Sequence, residues 1–245
     1  MQDLPADLVE ALRGAGSVVA LTGSGISAES GVPTFRDAHT GLWEKYDPAE
    51  LATPQAFGRD PELVWNWYAW RRGLVERAEP NPGHLALAAL ERRVPYFTLV
   101  TQNVDGLHQK AGSENVVELH GNIRRSRCSA EGIQVEPEDQ EAAPPPCPNC
   151  GSPLRPDVVW FGEALPAEKL EVASRAARSC ELFLSVGTSS LVYPAASLPY
   201  EALRGGATVV EVNLDTTPLS DRAGHSLRGS AGELLPRLFD RAFES

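Results

Sequence analysis

Apolar residues recur at helical spacing from Leu4 through Leu8, Val9 and Leu12, and Gly14 and Gly16 end that pattern. The next apolar run, Ser17-Val-Val-Ala-Leu21, is short and closed by Gly23, which predicts a strand buried on both faces. Helical periodicity then covers 60–78 and 83–93. Tyr96–Val100 reads as a strand, 104–111 as a short helix and Val116–Leu119 as another strand. After an interruption come the strand Asp157–Phe161, a helix over 166–178, the strand Leu182–Val186, a helix over 194–204, the strand Ala207–Val212 and a helix over 230–242. Strands alternating with helices predict an α/β fold with a parallel sheet covered on both faces.

Two stretches break the alternation. Residues 33–48 mix Pro, Gly and polar residues and read as a long loop, a length usually tied to function. Residues 121–155 are polar, hold three of the four Cys and contain the Ala-Ala-Pro-Pro-Pro run 142–146, which marks an inserted small module.

The chain has 245 residues, enough for one large domain with an insert. Its 22 basic and 33 acidic residues give a net charge of −11, which argues against nucleic-acid binding and mildly favours a basic peptide as substrate. No apolar run approaches the ~20 residues that cross a membrane, and residues 1–16 lack the pattern of a signal peptide. Four Cys are too few for a disulfide framework. A cytoplasmic monomer, with no nucleic-acid or membrane partner, is the expectation.

Gly23, Gly25 and Ala28 follow the first strand with the G-x-G-x-x-G/A spacing of a dinucleotide turn, in which glycines admit a pyrophosphate to a helix N-terminus. An ordinary tight turn has the same spacing. The acidic partner expected about 20 positions on has candidates in Glu44 and Asp47, but both lie in the loop, so an ordinary NAD dehydrogenase fits poorly. The continuation is more telling. Gly-Ser-Gly-Ile-Ser-Ala-Glu-Ser-Gly-Val-Pro-Thr-Phe-Arg-Asp spans 23–37. Thr101-Gln-Asn-Val-Asp-Gly-Leu-His108, Glu118-Leu-His-Gly121, Val158-Val-Trp-Phe-Gly-Glu163, Gly187-Thr-Ser189 and Asn213-Leu-Asp215 follow in order. Across these motifs the chain resembles the sirtuins, NAD-dependent protein-lysine deacylases.

That resemblance implies a Rossmann-like domain from 1–33, 81–120 and 156–245, and a small discontinuous zinc-ribbon-type domain from 34–80 and 121–155. It implies NAD as co-substrate, held by Gly23, Ser24, Gly25, Ile26 and Ser27 in the turn. Gln102, Asn103 and Asp105 would meet the ribose and nicotinamide, Gly187, Thr188 and Ser189 the phosphates or ribose, Asn213 and Asp215 the adenosine ribose, and Ala231 the adenine. From local sequence alone, Asn103 could equally cap the 104–111 helix and Asp215 a turn. Phe35 and Arg36 would close over the cofactor, Phe35 shielding the reactive carbon. His120 would be the general base with Asn103 beside it, and a histidine near its ordinary pKa of ~6.5 is largely neutral at pH 7. His39, His84 and His225 read as satisfied or solvated and His108 as structural. The implied reaction begins with attack of the acyl-lysine carbonyl oxygen on the nicotinamide ribose. It ends in nicotinamide, free lysine and 2′-O-acyl-ADP-ribose. Val159, Trp160 and Phe161, on the strand 157–161, would pair with the substrate peptide.

Two features bear on specificity and metal. Tyr68 and Arg71 are three apart and share a helix face. They are either part of a buried aromatic stripe with a surface ion pair, or, by resemblance to the Tyr-x-x-Arg sirtuins, the clamp for a succinyl or malonyl carboxylate. Arg72 points about 100° away. Acetyl removal stays open in either case. Where sirtuins carry two C-x-x-C pairs for structural zinc, this chain has Cys147-Pro-Asn-Cys150 but Cys128-Ser-Ala-Glu131. Cys128, Cys147 and Cys150 with Glu131 would complete a tetrahedral site; otherwise packing and the Pro run hold the module. An NAD glycohydrolase or ADP-ribosyltransferase, and a non-catalytic NAD or ADP-ribose sensor, are the competing readings.

Overall fold

The computed structural model describes residues 3–34, 47–137 and 143–243. Phe35, Arg36, His39, Glu44 and most of the loop 33–48 lie outside the described residues.

The first helix, α1 (Ala6–Gly14), leads into β1 (Ser17–Thr22) and a one-turn helix, α2 (Ser24–Ala28). Three further helices, α3 (Pro48–Leu51), α4 (Pro54–Arg59) and α5 (Pro61–Arg77), form a helical segment. Each starts in the same way: Asp47, Thr53 or Asp60 accepts a backbone N–H of the first turn, and proline follows at a position that needs no donor. Asn81 and Pro82 open α6 (Pro82–Glu91) by the same device. The chain continues through β2 (Tyr96–Thr101), α7 (Leu107–Lys110), β3 (Val116–Glu118), β4 (Gly121–Cys128) and β5 (Leu154–Val158). It closes with α8 (Ala167–Ser179), β6 (Leu182–Val186), α9 (Leu198–Gly205), β7 (Thr208–Asn213), β8 (His225–Arg228) and α10 (Ala231–Phe243).

Six strands form one parallel sheet in the order β3-β2-β1-β6-β7-β8. Counted within the sheet this is 3-2-1-4-5-6, the doubly wound order whose direction reverses between β1 and β6. Side chains of β1 alternate between two cores, as the two-residue strand period demands. Val18 and Ala20 pack with α1, α6 and α10, around Leu8, Leu87, Leu90, Leu234 and Leu238. Val19 and Leu21 pack with α8 and α9, around Ala173, Ala177, Leu198 and Ala202.

The helical segment has its own core, in which Val64, Trp67, Tyr68, Ile123, Val158 and Trp160 meet. The antiparallel pair β4–β5, irregular between Asn122 and Ser126, packs beneath it. Trp65 of α5 packs with Cys128, Cys147 and Leu154.

Two elements escaped the sequence reading, and one expectation needs correcting. The segment 47–59 is helical, and its Asp-Pro and Thr-Pro starts were the signal. The polar stretch 121–155 holds β4, whose Asn-Ile-Arg-Arg-Ser-Arg sequence has no apolar run to announce a strand. The strand expected at Asp157–Phe161 instead spans Leu154–Val158. Beyond Val158 the chain turns at Gly162 (φ 87°) and drives Trp160 into the helical segment's core. The apolar run marks that wedge, not a ladder.

Candidate functional site

The carboxyl ends of β1, β2, β6 and β7 meet at the switch point, where open α/β sheets bind ligands. Gly23 caps α2, and its N–H bonds Val186 O at 3.0 Å, while Gly25 N–H bonds Gly187 O at 2.8 Å. A Cβ at Gly23 or Gly25 would lie 2.8 or 2.7 Å from that same Gly187 oxygen. The glycines therefore let the turn approach the end of β6, a tighter demand than the pyrophosphate access read from the sequence. Ser24 is exposed at the helix start, whereas the Ile26 side chain is fully buried in the core.

Cross-links tie the strand ends together. Gln102 Nε2 donates to Thr188 Oγ1 (3.0 Å), Asn213 Nδ2 to Thr188 O (2.8 Å) and Asn103 Nδ2 to Gly23 O (3.0 Å). Asn103 does not cap α7, whose first N–H, from Leu107, bonds Asp105 Oδ1 at 2.9 Å. Ser189 is half-buried, Asp215 is exposed, and Ala231 opens α10 beside Gly83. Sequence reasoning missed Ser190. It is buried at φ 55°, and its Oγ has no partner among the described residues. A non-glycine residue at positive φ is strained and clusters at ligand sites, but nothing in a Thr-Ser-Ser run announces it.

Beneath the turn runs a buried polar chain. Ser27 Oγ donates to Asp105 Oδ2 (2.7 Å) and accepts from Asn103 Nδ2 (3.1 Å). His84 Nδ1 accepts the Asn81 N–H, so its Nε2–H faces Ser27 Oγ at 3.4 Å. The His84 ring packs at a tilt against His108 with centroids 4.8 Å apart, and His108 Nε2 bonds Thr22 Oγ1 at 2.9 Å. Burial pushes the His84 pKa down to about 4 and, together with His84's proximity, His108 down to about 3, so both are neutral. Burial raises the Asp105 carboxyl, against the bonds from Leu107 and Ser27. His84, read from the sequence as satisfied or solvated, is satisfied and lies directly under the turn.

His120 follows β3 and is half-buried. Its Nδ1 lies 2.9 Å from Gln102 O, and a carbonyl can only accept, so Nδ1 carries the proton. Nε2 keeps its lone pair and has no partner among the described residues. Burial lowers the His120 pKa, partly offset by that bond to Gln102. The group is a neutral base poised at Nε2.

Tyr68 and Arg71 share the inner face of α5. Tyr68 is fully buried, and its hydroxyl accepts from Trp160 Nε1 at 3.0 Å; burial raises its pKa far above the ordinary phenol value. The Arg71 guanidinium lies 5.1 Å from the Trp67 ring centroid and burial lowers its pKa. Arg72 is turned elsewhere, with Nε donating to Ile123 O at 2.9 Å. The backbone of Val159, Trp160 and Phe161 departs from expectation. All three N–H groups are occupied, by His120 O (2.9 Å), Glu163 Oε2 (2.8 Å) and Ala52 O (2.9 Å). The three N–H groups are thus already paired within the chain, which turns here rather than continuing as a strand.

Cys128, Glu131, Cys147 and Cys150 bring one donor atom each within 4.8 Å of one another. Cys128-Ser-Ala-Glu131 and Cys147-Pro-Asn-Cys150 form matched turns, each closed by a positive-φ glycine, Gly132 or Gly151, bonded back to the first Cys carbonyl. Cys128 Sγ lies 3.4 Å from Cys150 Sγ, and Cys147 Sγ lies 4.0 Å from Glu131 Oε2. A tetrahedral zinc with Zn–S bonds of ~2.3 Å needs ligand–ligand edges of roughly 3.8 Å, so the donor set fits zinc. Cys180 is apart from this group, buried at the end of α8, and burial pushes its thiol up to about 11.

A sheet of this order, with glycine turns on both sides of its switch point, defines a dinucleotide-binding α/β protein. The chain belongs to the Sir2 family, whose model matches residues 23–194. An NAD-dependent protein deacylase 1 of Pseudomonas aeruginosa is 53% identical over 96% of this chain and 98% of its own length. An NAD-dependent protein deacylase of Methylococcus capsulatus is 52% identical, covering 95% and 94% of the two chains. Among solved structures, a Sir2 homologue in complex with NAD superposes with a TM-score of 0.92 at 47% identity, covering 98% of this chain and 94% of that one. The residues at the switch point suit such a dinucleotide: among the described residues the Ser190 hydroxyl has no partner and the His120 ring bonds only through Nδ1, which leaves polar groups for a ligand to satisfy.

Proposed function

We infer that this chain is an NAD-dependent protein-lysine deacylase. We further propose that it removes succinyl and malonyl groups as well as acetyl. NAD, when bound, supplies the electrophilic ribose carbon that receives the acyl oxygen. The chain's own groups do the rest. Asn103 and Asp105, fixed by Ser27, orient the nicotinamide end, while the strand ends from Gly23 to Asn213 position the remainder. His120, held by Gln102 O, takes up the ribose hydroxyl proton at Nε2. Zinc, held by the three thiolates and Glu131, would fix the small module, which we assign to 34–80 and 121–155 against a nucleotide domain of 1–33, 81–120 and 156–245. Its partners, on this reading, are acyl-lysine proteins of the cytoplasm; no helix among the described residues is long and apolar enough to cross a membrane.

The acyl preference rests on one observation: the buried Tyr68 and the half-buried Arg71 share one face of α5, with the Arg71 charge acting on the Tyr68 hydroxyl. A guanidinium beside a buried phenol binds a carboxylate through charge-assisted hydrogen bonds. Arg71→Met should lower kcat/KM for succinyl- and malonyl-lysine peptides by roughly 100-fold, the cost of removing one partner of a buried charge pair. Acetyl removal should fall far less. Equal losses on all three peptides would return Arg71 to a purely structural role.

A further inference from the structure

We propose that Trp160 is a positioning residue for acyl specificity: its indole N–H turns the Tyr68 hydroxyl into a dedicated donor, so the pocket selects acyl chains that end in acceptor atoms. This inference rests on the reading of Tyr68 and Arg71 as the acyl pocket.

An indole N–H can only donate. Trp160 Nε1 lies 3.0 Å from Tyr68 Oη and so occupies a lone pair of the phenol. The hydroxyl proton must then point elsewhere, and none of the described residues accepts it. Tyr68 is only 3% exposed, so water is a poor substitute. A buried donor without an acceptor is costly and marks a place where a ligand completes the bonding. Arg71, one turn along the same face, also only donates. The Tyr68 hydroxyl therefore calls for an acceptor beside a positive charge, and a terminal carboxylate supplies four lone-pair sites where an acetyl methyl supplies none.

Trp160 can hold this register because it is itself fixed. The Arg155 guanidinium carbon lies 3.3 Å from its ring centroid, and Phe57 meets it with centroids 5.3 Å apart. Glu163 grips Arg155 with two bonds, at 2.6 and 2.8 Å, and also accepts the Trp160 backbone N–H at 2.8 Å. Arg155 Nη2 donates to Val158 O at 2.9 Å, anchoring the bracket to the end of β5. Arg155 and Glu163 thus act on Tyr68 through the indole ring.

The test compares wild type, Trp160→Phe, Glu163→Gln, Tyr68→Phe and Arg71→Met on matched succinyl- and acetyl-lysine peptides, with thermal unfolding run on each protein. Trp160→Phe keeps an aromatic ring and removes only the N–H-bearing part. It should lower the succinyl-to-acetyl ratio of kcat/KM about tenfold, the effect of one hydrogen bond to a charged group. The loss should lie mainly in KM for the succinyl peptide. Glu163→Gln should move the ratio in the same direction by a smaller factor and stands in if Trp160→Phe does not fold. Combining Trp160→Phe with Tyr68→Phe should cost no more than Tyr68→Phe alone, because both act through one hydroxyl. If Tyr68→Phe lowers the ratio while Trp160→Phe and Glu163→Gln leave it within twofold of wild type, the pocket stands and this inference is overturned. If neither Tyr68→Phe nor Arg71→Met changes the ratio, the acyl-pocket reading itself falls.

Discussion

His120 shows how much chemistry a single hydrogen bond can fix. Its proton is tied to Gln102 O through Nδ1, which leaves Nε2 unprotonated, and burial holds the pKa below the ordinary 6.5. Protonation at Nε2 removes the base, so activity should be complete near pH 7 and fall as the pH drops through the lowered pKa. A profile of kcat/KM between pH 5 and 8 should show an acid limb of unit slope with its midpoint under 6.5; a midpoint above 6.5 would contradict this assignment. The histidine's importance was legible only through the Glu-Leu-His-Gly motif, since nothing local separates it from His84 or His108. Those two became distinguishable when the fold packed them together beneath the glycine turn, a contact between α6 and α7 that no sequence period encodes.

At the scale of elements, the parallel strands were legible because burial on both faces writes a continuous apolar run, as in β1 and β6, whose patterns are buried almost throughout. The pair β4–β5 was not, because one strand is rich in arginine and the other ends where Trp160 leaves the ladder. The helices α3 and α4 were written in their caps, although too short to show a period. The two Cys turns form the element whose chemistry is most exposed to test. As purified, the protein should carry about one zinc per chain. Glu131→Ala should lose it to a chelator at lower concentration than wild type, and Glu131→Cys should hold it more tightly, because thiolate is the softer ligand. Cobalt substitution gives a second reading, since the thiolate charge-transfer band should strengthen when Glu131 becomes Cys. Identical metal retention by wild type and Glu131→Ala would remove the carboxylate from the ligand set.

For the whole molecule, function depends on bringing distant segments to one line. The sheet order places the turn after β1 beside that after β6, and residues near 23, 103, 120, 188 and 213 converge although the sequence scatters them. Alternation alone predicted the layers of this architecture. It could not predict the crossover between β1 and β6, where the candidate site lies, because strand order is decided by long-range pairing. The helical segment and the Cys module then add a second core beside the sheet, built around Trp67, Tyr68 and Trp160, and this core distinguishes the chain from a plain nucleotide-binding domain. The central claim is that nicotinamide release and lysine deacylation are one coupled event. Its most direct test is a mass-spectrometric balance of nicotinamide, deacylated peptide and O-acyl-ADP-ribose after incubation with NAD and a succinyl-lysine peptide. Equal amounts of all three, requiring both substrates and reduced at least ~100-fold in His120→Ala, are the predicted result. Nicotinamide released as fast without peptide as with it would contradict the account.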